Sequence, residues 1–187
     1  MRSNDIASTI NQHFFGIEVH RFQKIVTGLR GHEYRGQALY PDSRVKSSDV
    51  TPEQLAHLLR ALALNFNPMG QEFHRQIARA HTLRDEKGNY LIDEIAKYLG
   101  NPDLIKENGL MRISFSQDRD TVVFAFRSPF YHEALKEHPD VLHFVVRELD
   151  QVFGDVGPLA SERFSMVKQS ALLQIAGMLN IKSNQQI

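Results

Sequence analysis

Between His20 and Ser48 the chain carries six basic side chains, Arg21, Lys24, Arg30, Arg35, Arg44 and Lys46, against two acids, Glu33 and Asp42, a local balance of +4. Lysine and arginine attract phosphate through long-range Coulomb energy and counterion release. Arginine adds a planar fork that bridges two phosphate oxygens or the edge of guanine. Gly28, Gly31 and Gly36 free the backbone for positive φ or for close approach, and Tyr34 and Tyr40 offer rings that could stack on bases or sugars. The partner this pattern suits is double-stranded DNA. A loop of scattered arginine and glycine is equally at home as a solvated connection. The stretch has no Gly-x-x-x-x-Gly-Lys-Ser/Thr and no Gly-x-Gly-x-x-Gly after a strand, so a nucleotide cradle is not expected.

Other chemistry finds little support. The chain has nine histidines (13, 20, 32, 57, 74, 81, 132, 138 and 143) and no cysteine. That composition excludes disulfides, thiolate metal sites and a cysteine nucleophile. No His-Glu-x-x-His spacing occurs, and His74 and His81, seven residues apart, read as two surface histidines with no third ligand. Gly-x-Ser-x-Gly is absent. His132-Glu133 and Glu137-His138 are neighbours that do not share a helix face. The expectation is a protein without catalytic residues, metal or cofactor.

The elements that must position the basic stretch follow from periodicity. Ser3 is placed to cap a helix to about Phe15, with Ile6, Ile10 and Phe14 on one face. Gly16 suits a turn. A second helix from about Glu18 to Leu29 buries Val19, Phe22, Ile25, Val26 and Leu29 and turns Arg21, Lys24 and Arg30 outward. Two helices about a glycine turn are similar to a helix-turn-helix, although Gln12 stands where a small residue usually packs. Ala38–Tyr40 and Arg44–Lys46 suit a small two-stranded wing. Thr51-Pro52-Glu53-Gln54 is a capping box with proline at the first helical position. It opens a helix to about Leu64 whose wide apolar stripe predicts the central core helix.

Further helices are expected from Asn67-Pro68 to Ala80, over 91–99 and 103–107, with an exposed turn at Arg84–Asn89. Leu110–Ser116 and Thr121–Arg127 alternate as a hairpin, pairing Phe115 with Val122, Ile113 with Phe124 and Met111 with Phe126. A short helix is expected over 129–136. The run 141–153 fits a helix, although its inner part, LHFVV, would equally suit a third strand. A Gly/Pro linker spans 155–160, and Ser161 is placed to cap a last helix to Leu179. On that helix Phe164, Val167, Ala171, Leu172, Ile175 and Leu179 read as inward, while Met166, Leu173 and Met178 lie partly off the stripe. The second set suggests contact with a sister subunit, as homodimer or higher oligomer.

The fold class expected is therefore α+β, mostly helical, with one antiparallel hairpin at about 110–127 packed on helices. It is divided into a basic head over 1–50 and a core over 51–187, or forms one continuous domain. Formal net charge is zero over 187 residues, 42% of them hydrophobic, yet residues 1–48 hold seven Lys/Arg against four Asp/Glu, which favours an anionic partner at one end. No signal-peptide pattern or membrane-length apolar run appears, so a cytoplasmic protein is expected.

The order of a short helical segment, a Gly/Arg loop and the helix DVTPEQLAHLLRALAL resembles a family of uncharacterised bacterial prophage proteins. The likeness lies mainly in residues 17–66, and the chain departs from it in the longer loop EYRGQALYPDSRVKSS. The resemblance implies a phage or mobile-element origin and, by analogy, DNA binding; the first expectation is a DNA-binding protein in transcription regulation or packaging. The competing expectation is a non-enzymatic interaction module, or an inhibitor of a host protein, acting as a homo-oligomer.

Overall fold

Nine consecutive residues of one helix, Leu55 to Ala63, are all buried, and the remaining elements are arranged around them. This helix, the third in chain order, spans Pro52–Ala63. Thr51 Oγ1 accepts from Gln54 N–H at 3.2 Å and the Gln54 side chain accepts from Thr51 N–H at 3.0 Å, the reciprocal bonding of a capping box. The computed structural model describes residues 2–46, 49–65, 71–117, 121–127, 149–153 and 164–180.

In order, α1 (Ser3–Ile10) runs into a π-helical turn (Asn11–Phe15), then α2 (Val19–Arg30), a hairpin of β1 (Glu33–Tyr34) and β2 (Gln37–Ala38), α3 (Pro52–Ala63), α4 (Gln71–Ala80), α5 (Leu91–Gly100) and α6 (Asp103–Glu107). There follow β3 (Leu110–Ser116), β4 (Val122–Phe126), β5 (Leu149–Phe153), β6 (Phe164–Lys168) and α7 (Gln169–Asn180). The second sheet has four strands in the order β5-β4-β3-β6, every pair antiparallel. The class is α+β and mostly helical, with the 110–127 hairpin lying on the helices as its alternation predicts.

One buried apolar cluster runs from Ile6 through α2, α3 and α5 to Ile113, Phe115, Phe124, Val167 and Ile175. The first fifty residues thus share one core with α3, α5 and the larger sheet. α3 packs chiefly on α5, and α7 packs on α5 and β6. Among the described residues no helix is long and apolar enough to cross a membrane.

The expected register is met at Phe115↔Val122 and Ile113↔Phe124, but a bulge between Leu110 and Arg112 sets Leu110, not Met111, opposite Phe126. An extra residue in one strand shifts alternation by one from that point on. Residues 149–153 form a strand on the edge of β4, not a helix. Residues 164–168 are likewise a strand, so α7 begins eight residues beyond Ser161. Phe164 pairs with Ser116 and Met166 with Ser114, one strand face away from the Ile113–Val167 pair, so neither joins the helical side. Leu173 and Met178 pack against the core, which leaves Met166, 58% exposed, as the uncovered member of the set expected to contact a sister subunit. The start of the helix expected from Asn67, the helix over 129–136, residues 141–148, the linker 155–160 and Ser161 lie outside the described residues.

Near the N-terminus the cap differs from expectation. Ser3 is the first helical residue, and its Oγ donates to Asp42 O at 2.7 Å. The helix start is closed instead by Arg2 N–H donating to the Asp5 carboxylate at 2.7 Å. The wing expected at 38–40 and 44–46 forms earlier in the chain, as β1–β2. Lys46 bridges to Arg2, and Leu39 and Tyr40 are buried.

Thr51→Ala should lower stability by about 1 kcal/mol, read as a fall of about 2–4 °C in melting temperature for a chain of this size. An unchanged melting curve would show that the reciprocal cap contributes nothing to holding α3.

Candidate functional site

Glu18 opens α2 as a carboxylate cap, accepting from His20 N–H at 3.0 Å and Arg21 N–H at 3.1 Å. These backbone bonds, the first with His20, hold its carboxyl below the ordinary glutamate value. Before it, Gly16 sits at φ 62, and Asn11 ties off the turn by exchanging hydrogen bonds with the backbone of Ile17. Phe22, Ile25, Val26 and Leu29 form the buried stripe at i, i+3, i+4 and i+7. Val19, expected inside, is 65% exposed because it lies on the first turn, before the stripe meets α3. The outer face presents His20, Arg21, Gln23, Lys24 and Thr27, all exposed and with no acid among them.

The six basic residues differ in their partners. Arg21 and Lys24 share the α2 face, and Arg21 also donates to Asn65 O at 2.6 Å. Arg30 is folded back, donating to Pro41 O at 2.9 Å and Asn4 Oδ1 at 2.8 Å. Arg35 makes a two-pronged ion pair with Asp93 of α5, both bonds 2.9 Å, and this pairing raises the guanidinium above its ordinary value. Arg44 pairs with Asp42 at 3.2 Å. Lys46 is exposed on the loop. Arg35 and Gly36 both have positive φ, 52° and 76°, as the two central residues of a type I′ hairpin require. Of the tyrosines considered for stacking, Tyr40 is fully buried and its hydroxyl donates to Ser3 O at 2.7 Å. Burial pushes that hydroxyl up from its ordinary value.

A second assembly joins α3, α4 and the hairpin through ring side chains that are far apart in sequence. Tyr34 stacks on His81 with ring centroids 3.8 Å apart and planes 19° apart. His57 stands edge-on to both, at 5.9 Å from Tyr34 and 5.1 Å from His81. His32 Nε2 lies 2.6 Å from His74 Nδ1. Below them Arg60, 3% exposed, donates to Gln76 O at 2.9 Å and Gln76 Oε1 at 3.3 Å. His81, expected as a plain surface histidine, is half-buried, and its Nε2, like that of His57, is buried without a hydrogen-bond partner among the described residues. A cleft of about 210 Å³ between the hairpin and the start of α3 is lined by Tyr34, Arg35, Gln37, Gln54 and His57. Among the described residues no group of three or more His, Asp or Glu converges as a metal site. No signal in the linear sequence marks this assembly, since each histidine becomes special only when α4 docks on α3.

Burial drives the imidazolium forms out. It lowers His57 to about 3 and His81 to about 4, the neighbouring Arg60 charge adding to the effect on both. Arg60 itself falls to about 10 for the same reason, burial. The unfolded histidines titrate near the ordinary value, so between about pH 6.5 and 3 the unfolded chain binds more protons and stability falls as pH falls. For His57 alone the loss reaches about 2 kcal/mol by pH 5. His57→Gln should therefore shrink the difference in unfolding free energy between pH 7 and pH 5 by about that amount. Equal pH dependence in the two proteins would show that His57 takes up its proton as readily in the fold as in the unfolded chain.

Compared with known proteins, the chain matches no family model, no curated protein and no solved structure.

Proposed function

We propose that this chain is a non-enzymatic double-stranded DNA-binding protein of the phage or mobile-element kind, a regulator or packaging factor, and that it binds through the outer face of α2. One observation carries the reading. Arg21 and Lys24 stand on an exposed helix face with His20, Gln23 and Thr27, and Glu18, at the start of the helix, spends its carboxylate on the cap. Lysine and arginine on such a face contact phosphates, while glutamine and threonine can read base edges. The helix follows another helical segment across a glycine turn, the order in which a recognition helix is presented. Arg30, Arg35 and Arg44 play a different part: they fasten the loop to Pro41 and Asn4, to Asp93, and to Asp42.

A homo-oligomeric interaction module is the second reading. It is supported by Met166, exposed at 58% on β6, which is an edge strand of the described sheet.

The test is a titration of mixed-sequence duplex by fluorescence anisotropy at several salt concentrations. Removing one phosphate-binding side chain lowers the slope of log K against log salt by about 0.9. Arg21→Ala with Lys24→Ala should weaken binding and flatten the slope by about 2, whereas Arg35→Ala should leave the slope as in the wild type. Failure of the wild type to bind at low salt, or an unchanged slope in the double variant, would remove the proposal. Salt-independent self-association would turn the assignment towards the second reading.

A further inference from the structure

The pair His32 and His74 has a geometry that its hydrogen bond does not exhaust. His32 lies just past the end of α2 and His74 on the first turn of α4, so two separate elements bring the rings together, centroids 4.6 Å apart and planes tilted 53°. His32 Nδ1 is 2.8 Å from Gly28 O. A carbonyl only accepts, so this nitrogen carries the proton, and Nε2 of neutral His32 is left with its lone pair facing His74. His74 Nδ1 must then donate the proton shared across the 2.6 Å contact. An imidazole whose far N–H is held by a backbone carbonyl is the arrangement that fixes the tautomer and orientation of a metal-binding histidine. The position is further held by Phe73, whose ring meets His32 edge-on at 5.6 Å. On the other side Phe73 lies so close to Gly28 that a Cβ built there would stand 2.6 Å from it.

We propose that His32 Nε2 and His74 Nδ1 form a site for a divalent transition-metal ion of the copper or nickel type, with water completing the coordination. Binding requires His74 to move its proton from Nδ1 to Nε2, a change of tautomer with no net gain or loss of protons. The spacing selects the class of ion. With metal–nitrogen bonds of about 2.0 Å, adjacent corners of a square-planar or tetragonal site lie about 2.8–2.9 Å apart, whereas a tetrahedral site needs about 3.3 Å. The pair reaches the first by opening about 0.2–0.3 Å and the second by about 0.7 Å. Copper and nickel take the tetragonal geometry, and copper heads the affinity order for nitrogen ligands. Among the described residues no third protein ligand joins the two, and His74 is exposed, so the ion exchanges with solvent. While bound it ties α4 to the end of α2. This inference stands whether or not α2 binds DNA.

The experiment titrates the full chain with copper(II) chloride at neutral pH in a non-coordinating buffer, read by calorimetry and by electron paramagnetic resonance. Expected is one preferred equivalent of copper with a spectrum split by two equivalent-type nitrogens, and weaker binding of zinc(II). His74→Ala and His32→Gln should each weaken copper binding by more than about tenfold, while His13→Ala, an exposed histidine elsewhere, should not. His74→Ala alters an exposed side chain, and its melting curve checks that it is folded. Copper binding equal in His74→Ala and wild type, or loss in His13→Ala to the same extent, would overturn the site. Zinc binding tighter than copper would overturn the tetragonal assignment.

Discussion

A helix buried on every side has no face to offer water, and this constraint on α3 propagates through the rest of the structure. Leu55, Leu58, Leu59 and Leu62 meet it with apolar neighbours, but His57 and Arg60 lie on the same buried surface. A buried guanidinium costs several kcal/mol unless its protons are taken up. Arg60 finds the backbone and side-chain oxygens of Gln76 on α4. His57 takes the other route open to a titratable group and stays neutral among rings. The position of α4 is thus decided by polar demand on α3 as well as by Phe73, Ile77 and Ala80, which α4 buries itself.

The same packing gives the basic stretch partners that a charge count does not see. A local balance of +4 treats each residue as equally available, but the balance does not register partners distant in sequence. Asp93, which engages Arg35, is 58 residues further along on α5. Arg35 is delivered to it by a hairpin whose central residues both have positive φ, a conformation costing a non-glycine residue roughly 1–2 kcal/mol. Arginine in that place is understandable as an anchor through its two-pronged bond to Asp93. The two faces of α2 need no such long-range information, because i, i+3, i+4 and i+7 already separate the inner side from the outer.

Legibility in the sequence divides along the same line between local and distant causes. The capping box at Thr51, the stripe of α2, the helices α5 and α6 and the pairing of Phe115 with Val122 all arise from neighbours or from alternation, and they are readable. The bulge at Leu110–Arg112, the strands at 149–153 and 164–168 and the histidine assembly are not. Leu149, Val152 and Phe153 fit helical spacing as well as a strand, and five residues are too few for period to decide between them. The edge of β4 decides instead, by supplying hydrogen bonds that a helix would have to forgo. Phe164 and Val167 are three apart, a spacing that suits one helix face. On β6 that odd spacing sends them to opposite sides.

The histidines tie the local and the distant together. α4 meets the hairpin through Tyr34 on His81 and the loop through His32 on His74, and it meets α2 where Phe73 presses on Gly28. Burial keeps His57 and His81 neutral beside Arg60, so these rings meet as uncharged partners. The seating of α4 thus rests on ring contacts as well as on Phe73, Ile77 and Ala80, which it buries.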